Sequence, residues 1–214
     1  MTDRPIIFSA PMVRALLERH KTQTRRLAYG KFVPAKNPKA PKGAGHYKET
    51  VWTKAQPGDR LYVRENFRLR ADQDDKPPSE DYWKSGAWYA ADGSEPTGCQ
   101  GGPGKLRPSI HMPRWASRLT LVVTDVRRER LQEITPEDAM AEGIDGTYPD
   151  PGPCKWRHPE QDRGTSDPCH AFEWLWDSIH GPDAWDENPE VCAISFQVIS
   201  KNIDAVGQEV GRGT

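Results

Sequence analysis

Lys21 and Thr24 stand three residues apart in Glu18-Arg19-His20-Lys21-Thr22-Gln23-Thr24-Arg25-Arg26. In a helical turn or tight bend this spacing puts both side chains on one side. A lysine next to a threonine hydroxyl can serve as its base where burial or nearby cations keep the amine neutral. Arg25 and Arg26 would supply those cations, or hold a phosphate. A plainer reading stands beside this one. Lys and Arg favour helix C-termini through the helix dipole alone. A solvated helix end, an anion-binding lip and half of an active site all fit the stretch.

Four further groups bear chemistry. Glu142 closes the "TPEDAMAEG" segment, so its carboxylate faces the negative end of a helix dipole. A compensating cation is one explanation, and an ordinary exposed glutamate is the other. In "GDRLYVRE" a turn sets a strand, and Arg64 and Glu65 leave it on opposite faces. "RPSIHMPRWASR" is a cationic, aromatic loop in which Arg114 and Trp115 suit a phosphate and a stacked base. A packed loop plugged by its Trp and Met fits equally. Cys154, His158, Cys169 and His170 share a loop and have donor chemistry for zinc. Adjacent Cys-His ligands are unusual, however, and no Cys-x-x-Cys occurs, so we expect no metal and no cofactor.

These residues need elements to position them. Ile6-Ile7-Phe8 reads as a short buried strand. Pro11 suits a first helical turn, and Met12, Val13, Leu16 and Leu17 form a helical stripe ending near Arg19 or His20. Leu61, Val63 and Phe67 share one strand parity, with Tyr62 and Arg64 on the other. Residues 119–126 are rich in β-branched Thr and Val and make the clearest strand. Thr135-Pro136-Glu137-Asp138 is a helix start with a hydroxyl cap, Pro and first-turn acids, and Gly143 is its stop. A second helix is expected over about 170–180, with Phe172, Leu175, Trp176 and Ile179 on one face. Residues 191–199 form a final strand. Long polar stretches at about 29–57, 71–105 and 145–168 read as loop insertions in a single domain of residues 1–200. Residues 201–214 read as a flexible tail. The pattern predicts an α+β fold, a small and mainly antiparallel β-barrel flanked by a few helices.

Composition narrows the function. The 214 residues carry a net charge of −1, so no global basic field draws the chain to nucleic acid and any anion site is local. No apolar run is long enough to cross a bilayer, and no secretory signal is read, which suggests a cytoplasmic protein with reduced thiols and no membrane partner. Phosphate-binding loops, dinucleotide fingerprints, nucleophile elbows and His-Glu-x-x-His are absent.

Taken in order, "KTQTRR", "GDRLYVRENF", the run from Arg107 to Ile144, "FEWLWDSIHG" and "NPEVCAISFQVI" resemble the ASCH domain family of the PUA-like superfamily. They are most similar to the long ASCH-type proteins of bacteriophages and prophages. The resemblance covers about half the chain and leaves the three insertions outside the shared core. It implies a PUA-like barrel and RNA, DNA or modified-nucleoside partners in a bacterial host cell. Small bacterial members of the family are amidohydrolases that remove the acetyl group of N4-acetylcytidine through a Lys and a Thr in K-x-x-T plus a Glu. Lys21, Thr24 and Glu142 match that triad. Arg25, Arg26, Tyr62, Arg64, Glu65, Arg114 and Trp115 are then the expected substrate or nucleic-acid contacts. The alternative is a non-catalytic RNA- or DNA-binding module. One departure is Arg19, where many family members carry glycine.

Overall fold

A computed structural model describes residues 1–36, 41–75, 77, 86–94, 102–147, 155–157 and 164–210. The elements, in chain order, are β1 (Asp3–Ile7), α1 (Ala10–Leu17), β2 (Gln23–Leu27), β3 (Tyr29–Pro34), β4 (Gly45–Glu49), β5 (Arg60–Arg64), β6 (Phe67–Arg68), β7 (Trp88–Tyr89), β8 (Thr120–Arg130), α2 (Pro136–Ala141), β9 (Asp145–Thr147), β10 (Lys155–Arg157), β11 (Gly164–Thr165), α3 (Pro168–His180), β12 (Glu190–Ile199) and α4 (Ile203–Val210). The fold is α+β, mainly sheet with a few helices. Its largest sheet is open, with strand order β1-β5-β8-β12-β2. Among the described residues, no helix is long and apolar enough to cross a membrane.

The chain forms two compact units. The first comprises Met1–Thr22, Gly58–Val123 and Phe196–Thr214, and the second Gln23–Pro57 and Thr124–Ser195. In the first unit β1 pairs with β5 in parallel, Ile6 opposite Val63. A parallel pair needs a long crossover, and the chain from α1 to the turn at Gly58 supplies it. β5 pairs with β8 antiparallel, Leu61 opposite Leu121. Alternation sends Leu61, Val63 and Phe67 inward as expected, and Glu65 follows the same parity into the interior. Phe67, Leu69, Ala87, Met112 and Ala116 make one apolar cluster.

In the second unit β12 pairs with β2 antiparallel, Ser195 opposite Gln23 and Val191 opposite Leu27. The Thr135 hydroxyl accepts from Asp138 N at 3.2 Å, so α2 starts at the predicted cap. Asp167 caps α3, accepting from Cys169 N at 2.9 Å. Phe172, Leu175 and Trp176 are buried on α3, but Ile179 is exposed and is not part of that face.

Several expectations need correction. Residues 23–27 do not simply trail from a helix end but form β2. The stretch 29–57 is not a loop throughout, since β3 and β4 pair as a two-stranded ribbon. Both faces of the ribbon meet water, so it lacks the apolar alternation that marks a strand in sequence. The 71–105 insertion contributes β7, which pairs with β6 and buries Ala87 and Trp88. The 145–168 insertion contains the small sheet β11-β10-β9. The tail from residue 201 carries α4. Its Ile203 is fully buried, and Asn202 Nδ2 points to the carbonyls of Arg114, Trp115 and Ser117 at 2.9, 3.1 and 2.7 Å. That anchor is polar and distant in sequence, which hides it from hydrophobic patterning.

Candidate functional site

Lys21 is delivered by the end of α1. Glu18 is the last residue with helical backbone, and Arg19 turns to φ 63°. Arg19 N donates to Leu16 O at 3.1 Å, and His20 N donates to Ala15 O at 2.9 Å. This pair of bonds is a Schellman motif, which satisfies the last helical carbonyls and reverses the chain. Lys21 N also reaches Ala15 O, at 3.0 Å. The Lys21 side chain is thereby turned inward and fully buried, its Nζ 5.5 Å from the centroid of the Phe8 ring. Arg19 thus holds a left-handed backbone that glycine alone adopts without steric cost.

Thr24 lies on β2, where alternation puts Gln23 and Arg25 on one face and Thr24 and Arg26 on the other. The Arg25 guanidinium is enclosed by acids. Its Nη2 donates to Glu129 Oε1 at 2.6 Å and to Asp138 Oδ2 at 2.8 Å. Its Nη1 donates to Gln23 Oε1 at 2.6 Å and to Glu142 Oε1 at 3.4 Å. The ring of Phe172 lies 5.9 Å below it. Arg25 therefore serves β8 and α2 and does not offer its charge to a ligand. Arg26 packs near Trp52, at 5.9 Å. Burial draws Arg26 below the ordinary arginine value, and the charge of Glu142 opposes this.

Glu142 is the C-cap of α2, its N–H bonded to Asp138 O at 2.9 Å. It is buried and not an ordinary exposed glutamate. Arg25 supplies a cation for the carboxylate at this helix end. Asp138 completes the cluster. Burial pushes its carboxyl up, but hydrogen bonds from Arg25 and Gln23, with the charges of Arg25 and Arg127, outweigh this and hold it below the ordinary aspartate value. Gln23, Glu129 and Asp138 were not singled out from sequence. The only signal was the strict two-residue spacing of Gln23 and Arg25, which becomes meaningful once residues 23–27 are known to be a strand.

The remaining expected contacts lie in the first unit. Tyr62 sits near two guanidinium groups, Arg64 at 5.7 Å and Arg114 at 5.6 Å. Arg64 Nη1 donates to Ile110 O at 3.2 Å. Arg114 bonds Asp204 at 2.7 Å and Asp3 at 2.6 Å, and these bonds raise it above the usual arginine value. Trp115 packs against the Phe67–Met112 cluster, as the plugged-loop reading has it. Glu65 receives a two-pronged bond from Arg118, at 2.9 and 3.0 Å. Burial raises the Glu65 carboxyl, and Arg118 only partly offsets it. Arg118 also bonds Asp92 at 2.8 Å and lies 4.1 Å over the Tyr89 ring. Burial pushes the Tyr89 hydroxyl up to about 12. Arg118 was read only as part of the cationic loop, and Asp92 was missed because it lies within an apparent loop.

Cys154 and His158 fall outside the described residues. The Cys169 thiol points to Ile134 O at 3.7 Å, and burial raises it. The His170 ring packs on Trp174 at 4.6 Å. Among the described residues, no group of three His, Cys, Asp or Glu side chains is placed to hold a metal. Comparison with protein-family models, with curated proteins and with solved structures finds no match to this chain.

Proposed function

We propose that the chain is an ASCH-type protein, kin to the PUA-like barrels, that hydrolyses the amide of an N4-acylated cytidine-like nucleoside. One observation carries this reading. Lys21, Thr24 and Glu142 are 0, 3 and 4% exposed, although each is of a type normally found at the surface. Buried titratable groups are enriched at reaction centres.

In this reading Thr24 Oγ1 attacks the acyl carbonyl, the amide C–N bond breaks, and the exocyclic amine leaves with a proton. Water then releases the acyl group from the threonine. Two proton assignments are open to the residues. Either neutral Lys21 takes the threonine proton, or Glu142 takes it while the Lys21 ammonium faces the developing oxyanion. The rival reading, a nucleic-acid binder using Arg25, Arg26, Arg64 and Arg114, is less favoured. Arg25 already serves three carboxylates and Arg114 two.

The test is release of acetate from N4-acetylcytidine. Lys21→Ala, Thr24→Ala and Glu142→Gln should each reduce the rate to background while the circular dichroism spectrum is retained. Full activity in Thr24→Ala would remove the nucleophile, and absence of activity in the native chain against a panel of acylated nucleosides would remove the reaction.

A further inference from the structure

The β3–β4 ribbon has an unusual surface. Between Tyr29 and Lys54 the sequence places six lysines against one glutamate, in a chain whose net charge is −1. Lys31, Lys36, Lys42 and Lys48 are exposed, as is His46. Phe32 and Tyr47 are directly opposite each other in the ladder, so their rings share a face. They meet edge to face with centroids 5.3 Å apart, yet remain 41 and 63% exposed. A Cβ on Gly45 would run into the Phe32 ring, so the missing side chain there lets the ring lie across the backbone. The rings are thus ordered by the ribbon itself without being buried. The ribbon is tied at its base, where Thr50 Oγ1 donates to Leu27 O at 2.7 Å and Thr50 N to Ala28 O at 2.9 Å.

We infer that this ribbon docks single-stranded nucleic acid, with Phe32 and Tyr47 stacking bases and the surrounding lysines contacting phosphates. Exposed rings cost free energy in water, and a base face covers them. The clustered positive charge complements a phosphate chain and is local enough to survive the chain's near-neutral total. A single strand fits better than a duplex because its bases are open to stacking. The inference is independent of the amidohydrolase reading, since the ribbon supplies none of Lys21, Thr24 and Glu142.

Fluorescence anisotropy with a labelled oligouridine of roughly 15 nucleotides tests it. Tyr47→Ala should weaken binding about tenfold, the loss of one stacked base. The double variant Lys31→Gln, Lys48→Gln should lower the slope of log affinity against log salt by about 1.4, at about 0.7 per phosphate contact. All these residues are exposed, so the urea midpoint should stay near that of the native chain, and so should the rate on free N4-acetylcytidine. Absence of binding at low salt overturns the inference. So does binding that both variants leave intact, or a Tyr47→Ala variant that loses nothing while duplex or phosphatidylserine vesicles bind as well as the single strand. Loss of nucleoside hydrolysis with ribbon binding retained would strike the proposed reaction and leave this surface standing.

Discussion

Lys21, Gln23, Thr24 and Arg25 are buried, whereas Lys31, Phe32, His46, Tyr47 and Lys48, a few residues further along, are exposed. Both stretches are polar and rich in cations, and composition gives no reason for opposite fates. The difference lies in what each strand is paired with. β2 lies against β12, and its Gln23/Arg25 face meets acids from β8 and α2. Charge neutralised by fixed partners can be kept from water. The ribbon is a two-stranded sheet, so its lysines stay solvated and even its aromatic residues remain largely outside. Buried Arg25 is matched by a set of acids, whereas Phe32 and Tyr47 remain exposed on the two-stranded ribbon.

Removing the partner of those acids should break the buried stretch most severely. Arg25→Met leaves Glu129, Asp138 and Glu142 without their shared cation, and should lower unfolding free energy by about 3–5 kcal/mol, read from urea denaturation. Arg25→Lys should recover only part of this, because an ammonium lacks the guanidinium fork that reaches several acceptors at once. An Arg25→Met midpoint equal to that of the native chain would mean the acids find other cations and the contrast with the ribbon is not one of neutralisation.

A smaller effect is expected from Asp138→Asn, about 1–3 kcal/mol at neutral pH. Its sign with pH follows from the lowered carboxyl. A group bound less tightly to its proton when folded adds stability above its unfolded value, here 3.8, and loses it as pH falls toward the folded value. The native chain should therefore lose stability more steeply below about pH 4 than Asp138→Asn does, in urea titrations at stepped pH. Parallel acid limbs in the two proteins would place the proton linkage elsewhere.

The smallest change is expected at the turn that leads into the buried stretch. Arg19→Gly relieves a left-handed residue and should raise stability by about 0.5–1 kcal/mol, since the steric gain exceeds the added freedom of the unfolded chain. Destabilisation would show that the arginine side chain contributes more than its backbone costs.

Much of the fold was legible, for stated reasons. The α2 start was written as Thr135-Pro136 with acids behind it, and the Gly58 and Gly143 turns adopt the positive φ that their glycines suggest. β8 was readable from its β-branched run. The buried face of α3 was readable from its spacing except at Ile179, because helical periodicity gives a stripe and not its edges. The ribbon, β2 and α4 were not legible. Each is held by polar or long-range contacts, such as Asn202 to three carbonyls, that leave no hydrophobic period. At the candidate site, residue types and the Lys21–Thr24 spacing were visible, but the burial of Glu142 and its tie to Arg25 were not.

The sequence by itself determined the caps, the turns, the strongest strands and which residues could do acid–base or nucleophilic chemistry, because those depend on neighbours within a few positions. Tertiary structure decided which cations are consumed and which are offered. Arg25 and Arg114 look like Lys31 and Lys48 in the sequence, yet Glu129, Asp138 and Glu142 claim the first, and Asp3 and Asp204 the second. Those acids lie about 90 to 117 residues away from the arginine they serve, Asp3 included at 111, and only folding brings opposite charges across such separations.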